Sequence, residues 1–320
     1  MKLAKRKSTV RVFAPASSAN LGSGFDVFGL AIEGPGDFLR LDRTDSGVIR
    51  IRAIKGDQGR LSRIVEENTA GVALLSFLDA IGEHSGFDIY LEKRMPLGSG
   101  LGSSAASAVA AVFAANELLG KPMAKRELVR WAAEGERVAS GAVHADNIAP
   151  SMMGGITLVR SLAADDIISL PIPSGMQLVV VHPHVEVKTI DARKVLPNRI
   201  LLKTAITQWS NTAALTAACF ASDLSLFGRA MEDLVAEPAR RSLIPYYDQV
   251  KSAAISAGAI GCCISGAGPS ILAIAGSTSK AHNIALAMKA IYRTHKLGCD
   301  TYVTKIDRRG ARVLSNTSAR

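Results

Sequence analysis

Short period-two stretches along the chain alternate with longer apolar runs that contain no breaker. Residues 10–14 read as a short strand, and residues 87–92 alternate apolar and polar side chains as a half-buried strand does. Residues 103–119 are dominated by Ala, Val and Leu up to Gly120, which predicts a helix, and a second helix is expected over residues 125–140, ending near Gly141. Strand patterns recur at residues 156–159 and 177–182, on either side of an acidic, proline-bearing stretch at 165–174. The domain boundary is expected there, giving units of residues 1–165 and 166–320. Beyond it, helices are expected near residues 199–221, 223–235, 245–257 and 279–293, with strands at 260–264, 271–275 and 301–306. The second half reads as a two-layer α+β unit.

Three segments interrupt this pattern with glycine and serine: residues 15–26, 96–106 and 265–270. In the central one, Pro96-Leu97-Gly98-Ser99-Gly100-Leu101-Gly102-Ser103-Ser104-Ala105-Ala106, the glycines let the backbone bend and approach a ligand. The helix that follows turns its unsatisfied amides and partial positive charge toward the loop, which makes an anion site. No Lys-Ser/Thr pair follows the last glycine, as a P-loop requires, and Ser103 stands where the third glycine of a dinucleotide fingerprint would fall.

With 320 residues the chain is about twice the usual ~150-residue domain, so two units sharing a cleft are expected. Hydrophobic residues at 48% and charged residues at 21% exclude collagen-like and disordered classes. The net charge of +10 changes meaning once it is placed: Lys2, Lys5, Arg6, Lys7 and Arg11 crowd one end, and Lys305, Arg308, Arg309, Arg312 and Arg320 the other. The body is nearly neutral and carries no basic stripe interleaved with aromatics, which argues against nucleic-acid binding and favours solvated tails. Cys219, Cys262, Cys263 and Cys299 lack metal-ligand spacing and read as free thiols of a reducing compartment. No apolar stretch approaches the ~20 residues of a membrane span, and a cytoplasmic location is expected.

Ser103 and Ser104 can reach a metal or phosphate oxygens, and a hard cation there also wants a carboxylate, from Glu134 or Glu136. The three glycine segments, in this order, resemble the motifs of the GHMP small-molecule kinases. Residues 140–150, with His144 and Asn147, and Glu237-Pro-Ala-Arg240 are similar to the branch whose acceptor is L-homoserine. The resemblance covers residues 10–306 or so. It implies an N-terminal α/β domain with a left-handed βαβ crossover, a C-terminal ferredoxin-like domain, and ATP between them. By motif, residues 96–106 would wrap the phosphates, Ser104 and Glu136 would hold Mg²⁺, and Asn68 would border the adenine. Glu136 is preferred to Glu134 because it lies eight residues before His144, as the family's metal carboxylate does.

The same resemblance assigns the acceptor site to Asn20, Asp26, His144, Asn147, Arg193 and Arg240, with Asn147 and Arg193 at the reacting centre. A zwitterionic alcohol needs a carboxylate for its ammonium, here Asp26, and paired donors for its carboxylate, here Arg193 and Arg240. Arg241 competes with Arg240 for that place. An amide at Asn147 cannot take a proton, so no dedicated base is expected, with Asp146 as the residue that would overturn this. Homodimers are common in the family. The alternatives are a GHMP kinase for mevalonate, shikimate or a sugar, against which the arginine pair with Asp26 discriminates because an uncharged sugar needs neither, and a catalytically silent nucleotide-binding regulator, which would not need Glu136.

Overall fold

The computed structural model describes residues 8–141, 143–163 and 165–314. Lys2, Lys5, Arg6, Lys7 and Arg320 of the basic ends lie outside the described residues.

The first unit is built on strands β1 (Thr9–Ala19), β2 (Phe28–Thr44), β3 (Ile49–Lys55) and β4 (Gly86–Glu92), side by side in the order β1-β2-β4-β3. β3 and β4 are parallel and are joined through helix α1 (Thr69–Ala80); the other pairs are antiparallel. Helix α2 (Ser103–Leu118) lies on β1 and β2, with α1 and α3 (Lys125–Glu134) packed against its outer side. This sandwiching explains its composition, because a helix covered all round needs small apolar residues on every face. Fourteen of its sixteen residues are buried, as that requires. Two short helices, α4 (Glu136–Ser140) and α5 (Ile148–Met153), line the end nearest the cleft, and β5 (Ile156–Ser161) and β6 (Asp166–Leu170) form a hairpin beside β2.

The second unit holds β7 (Gln177–Pro183), β8 (Gly261–Ile264), β9 (Ile271–Ala275) and β10 (Cys299–Thr304) in the order β10-β7-β9-β8, all antiparallel. After β7 come α6 (Thr189–Lys194), α7 (Leu202–Ala221), α8 (Leu224–Ala230) and α9 (Ala236–Arg240). Helices α10 (Tyr247–Ser256) and α11 (Thr278–Thr294) pack together on this sheet. The sequence β7-α10-β8-β9-α11-β10 is the split-βαβ arrangement of ferredoxin-like sheets. A final strand, β11 (Arg312–Val313), returns to pair with β1.

Three expectations are corrected. The boundary at 165/166 falls inside the β5–β6 hairpin, because Asp166–Leu170 pairs with β5; the chain leaves the first sheet between Leu170 and Gln177, and residues 312–313 rejoin it. The expected helix over 125–140 breaks at Gly135, where a Cβ would fall 2.5 Å from the Thr69 carbonyl oxygen and 3.1 Å from Ala108 Cβ. The strand expected over 10–14 runs on to Ala19, since the small residues 16–19 pair with β2 residues 29–32 beyond a bulge at Pro15.

Under the start of α2 lies a buried ion pair. Lys93 Nζ donates to Asp37, to the Ser103 carbonyl at 2.6 Å and to Ser107 Oγ at 2.6 Å. Asp37 also accepts the amides of Arg94 at 2.9 Å and Met95 at 3.3 Å, and Ser103 Oγ at 3.2 Å. The pair ties β2, the end of β4 and the first turn of α2 into one block. Removing one member leaves the other charge buried and unpaired, so Lys93→Ala is expected to lose about 3–5 kcal/mol in urea denaturation. A loss below about 1 kcal/mol would show that solvent reaches the pair.

Candidate active site

Between the two units lies a cleft of about 430 Å³. One end is floored by the loop before α2, in which Gly98, Gly100 and Gly102 all have positive φ, at 62°, 76° and 68°. At two of them the need for glycine is also a matter of space. A Cβ on Gly100 would sit 2.5 Å from the Ser265 carbonyl oxygen, and one on Gly102 would sit 2.1 Å from Ser17 Oγ. No side chain caps α2, so its first-turn amides open toward the loop and keep their capacity for an anion. Ser104 Oγ donates to Glu136 at 2.9 Å, and burial raises the Glu136 carboxyl, opposed by that bond and by the charges of Lys93 and Arg193. Glu134 points elsewhere, to an exposed pair with Arg137 at 2.6 Å.

At the other end the six acceptor-site candidates come together. Asn20 donates to the Gly266 carbonyl at 2.9 Å and accepts the Asp26 amide at 3.0 Å. Asp26 accepts from Arg193 at 2.7 Å. Arg193 also donates to His144 Nδ1 at 3.1 Å, which makes that nitrogen an acceptor and leaves the ring proton on Nε2. Burial lowers the His144 pKa, and the neutral ring presents a buried Nε2 with no partner among the described residues. Arg193 Nε is likewise buried and unpartnered. Asn147 accepts from Ser17 Oγ at 2.9 Å, beside Gly102.

Arg240 is 3% exposed. Its guanidinium donates to the carbonyls of Ala192 and Gly266, both at 3.0 Å, and lies 5.0 Å from the centre of the Phe25 ring. No carboxylate pairs with it among the described residues. A buried cation held only by carbonyls is costly until an anion joins it. Arg241, by contrast, is exposed and pairs with Asp248 at 3.4 Å.

Sequence comparison fits this architecture at both ends. Residues 68–155 match the sequence model for the GHMP kinase N-terminal domain and residues 215–294 that for the GHMP kinase C-terminal domain. Homoserine kinase of Chlorobium phaeobacteroides (strain BS1) is 46% identical over 318 residues, covering 96% of this chain and 99% of that protein. That of Chlorobaculum tepidum is 45% identical over 322 residues, covering 97% and 99%. The chain belongs to the homoserine kinase family of the GHMP kinases. The crystal structure of homoserine kinase from Cytophaga hutchinsonii superposes with a TM-score of 0.94 at 46% identity, covering 98% of this chain and 100% of that one.

The chain thus has the two-domain GHMP kinase fold of an ATP-dependent kinase acting on an alcohol, with the cleft between its two domains. Asn68 lies in the wall of that cleft, but its oxygen caps α1 through the Ala70 amide at 3.0 Å and its nitrogen holds the Ser62 carbonyl at 2.8 Å. It therefore shapes the segment at 61–69 with its polar atoms already engaged. Reading the sequence missed Lys93, whose neighbours Glu92 and Arg94 make it look like a surface residue, and missed the pair of Arg60 with Glu186 at 2.6 Å across the cleft mouth. Neither carries a local signal, since each partner comes from a distant segment.

The tight spacing around Gly100 yields a test. Gly100→Ala should force the loop away from residues 265–268 and raise the KM for ATP at least tenfold, at an αL strain of about 1–2 kcal/mol. An unchanged KM in steady-state kinetics would mean the loop does not grip the phosphates.

Proposed function

We propose that the protein transfers the γ-phosphoryl group of MgATP to the hydroxyl of L-homoserine, giving O-phospho-L-homoserine, a step toward threonine. The observation that carries this reading is Arg240, a buried guanidinium with no carboxylate partner among the described residues, set beside the Nε of Arg193, which likewise has no partner among them. Two such groups fit an α-carboxylate and have no purpose toward an uncharged sugar. Asp26, bonded to Arg193 at 2.7 Å, supplies negative charge for the ammonium, and His144 Nε2 and Asn20 fix the remaining polar groups.

Phosphoryl transfer has a loose, charge-spread transition state, so positioning and electrostatics supply most of the catalysis. The open amides of α2 would face the phosphates. Ser104 and Glu136, an all-oxygen set of one hydroxyl and one buried carboxylate, fit Mg²⁺, which typically takes one or two carboxylates and completes its shell with phosphates and water. When bound, the ion would neutralise phosphate charge. Asn147 presents an amide near Gly102, Arg193 steadies developing charge, and the hydroxyl proton leaves to a phosphate oxygen or solvent.

We infer a homodimer through α7 and a cytoplasmic setting, the latter from the free thiols of Cys219, Cys262, Cys263 and Cys299. No helix among the described residues is long and apolar enough to cross a membrane. On α7, Leu202, Ile206, Trp209 and Phe220 are exposed by 68%, 51%, 62% and 65%, at three- and four-residue steps with Ala213 and Ala217 between them. With Leu201 they expose roughly 600 Å² per protomer, so two copies bury about 1,200 Å², above the ~1,000 Å² of a specific interface. An antiparallel two-fold pairing of these stripes, centred at the level of residue 211, would lay Trp209 of one protomer on Ala213 of its partner and Leu202 on Phe220.

ADP release is expected with homoserine and not with mevalonate, shikimate or galactose, and turnover on one of those three instead would replace this reading. Arg240→Ala should raise the homoserine KM by about 30- to 5,000-fold, from a loss of roughly 2–5 kcal/mol, with ATP binding retained. In sedimentation velocity, Trp209→Glu is expected to turn a dimer into a monomer without altering the homoserine KM; a wild-type monomer at micromolar concentration would remove the interface.

A further inference from the structure

The acceptor end of the cleft holds one carboxylate that the reading above does not use. Asp146 lines the cleft and is 4% exposed. Among the described residues no side chain bonds its carboxylate; the polar group that reaches it is the amide of Asn147, the next residue. The charges that face it come from every element packed around it: Asp26 from the loop after β1, Glu136 from α4, Arg193 from α6 and Arg240 from α9.

Charge counting shows what is lacking. Asp26 already holds Arg193 at 2.7 Å, so its negative charge is largely committed before any substrate arrives. His144 is neutral, as shown by its accepting Nδ1, and Glu136 sits with Ser104 at the phosphate end. Arg193, Arg240 and Asp26 together leave the acceptor end at +1. A zwitterion adds no net charge, so its ammonium would enter a pocket of excess positive charge. A second carboxylate makes the pocket neutral.

We propose that Asp146 is that second carboxylate, accepting the substrate ammonium together with Asp26, and that seating the ammonium drives the Asp146 proton into solvent. This rests on the homoserine reading. Before binding, burial together with the charges of Asp26 and Glu136 pushes the Asp146 carboxyl up to about 7, so at neutral pH the group is held partly as the acid. An ammonium beside it favours the carboxylate. The proton bound to the acid oxygen passes to buffer, and no other bond forms or breaks. Binding should then strengthen as pH rises through 7 and weaken below it, while the ammonium itself stays charged.

Calorimetric titration of L-homoserine into the full-length protein at pH 7, in two buffers of different ionisation enthalpy, reads the proton directly. Wild type is expected to release about half a proton per site, the fraction still bound to a group titrating near 7. Asp146→Asn should release none and raise the homoserine Kd at least tenfold, with kcat at saturating homoserine changed by no more than a few-fold. 4-Hydroxybutyrate, which lacks the ammonium, should bind both proteins with similar affinity and release no proton from either. Because the folded-state pKa of Asp146 is raised, its ionisation opposes folding above that pKa; Asp146→Asn should therefore melt no lower than wild type at pH 8, which separates lost binding from lost folding. Equal proton release from wild type and variant, or none from wild type, overturns the assignment. Lost turnover with an unchanged homoserine Kd also overturns it, since Asp146 would then act on the hydroxyl proton. A wild-type protein that binds ATP and not homoserine would instead refute the acceptor reading, and this assignment with it.

Discussion

Three glycine- and serine-rich segments meet backbone to backbone at the centre of the molecule, and the cleft exists because they do. The Ser17 amide donates to the Leu101 carbonyl at 3.1 Å, the Gly266 amide to Ala19 at 3.2 Å, and the Ser270 amide to Ser99 at 3.1 Å. Ser265 Oγ joins all three segments, bonding Ser18 Oγ and the Gly100 carbonyl, both at 2.8 Å. Main chains can come this close only where side chains are small or absent, which is why Gly100 and Gly102 stand at the points of nearest approach. One knot thus aligns the loop before α2 with the second sheet and leaves the helix amides open on its far side.

These segments were visible in the sequence because their composition departs from everything around them. Helix α2 and strand β9 were legible for a related reason, as long or strongly apolar stretches bounded by glycine. The acceptor residues were found through motif resemblance: spacing alone does not bring Asp26, His144, Arg193 and Arg240 to one place. Lys93 and Asp37 stayed hidden because their partnership spans 56 positions, and Lys93 sits between the ordinary charged neighbours Glu92 and Arg94. The halt at Gly135 was passed over although a glycine stands there, and what requires that glycine, the approach of Thr69 and Ala108, comes from other segments.

The two ends of the cleft handle charge differently. At the end beside α2 the helix contributes open backbone amides, which cannot titrate or move away, and Lys93 is sealed beneath α2 against Asp37. At the other end positive charge comes from whole guanidinium groups, one braced by Asp26 and one by carbonyls. Fixed dipoles suit a polyanion whose charge shifts during transfer, and full side-chain charges suit a small ligand that must be recognised at both poles.

The return of β11 to β1 ties the maturation of the chain to its length. Val12 lies opposite Val313, so the sheet that opens the polypeptide gains its last edge from residues made some three hundred positions later. On a ribosome emitting the amino end first, the second domain is complete before the first can be sealed, and until then β1 offers an unpaired rim. A nascent protein of this design would depend on shielding of that rim through nearly the whole of its synthesis.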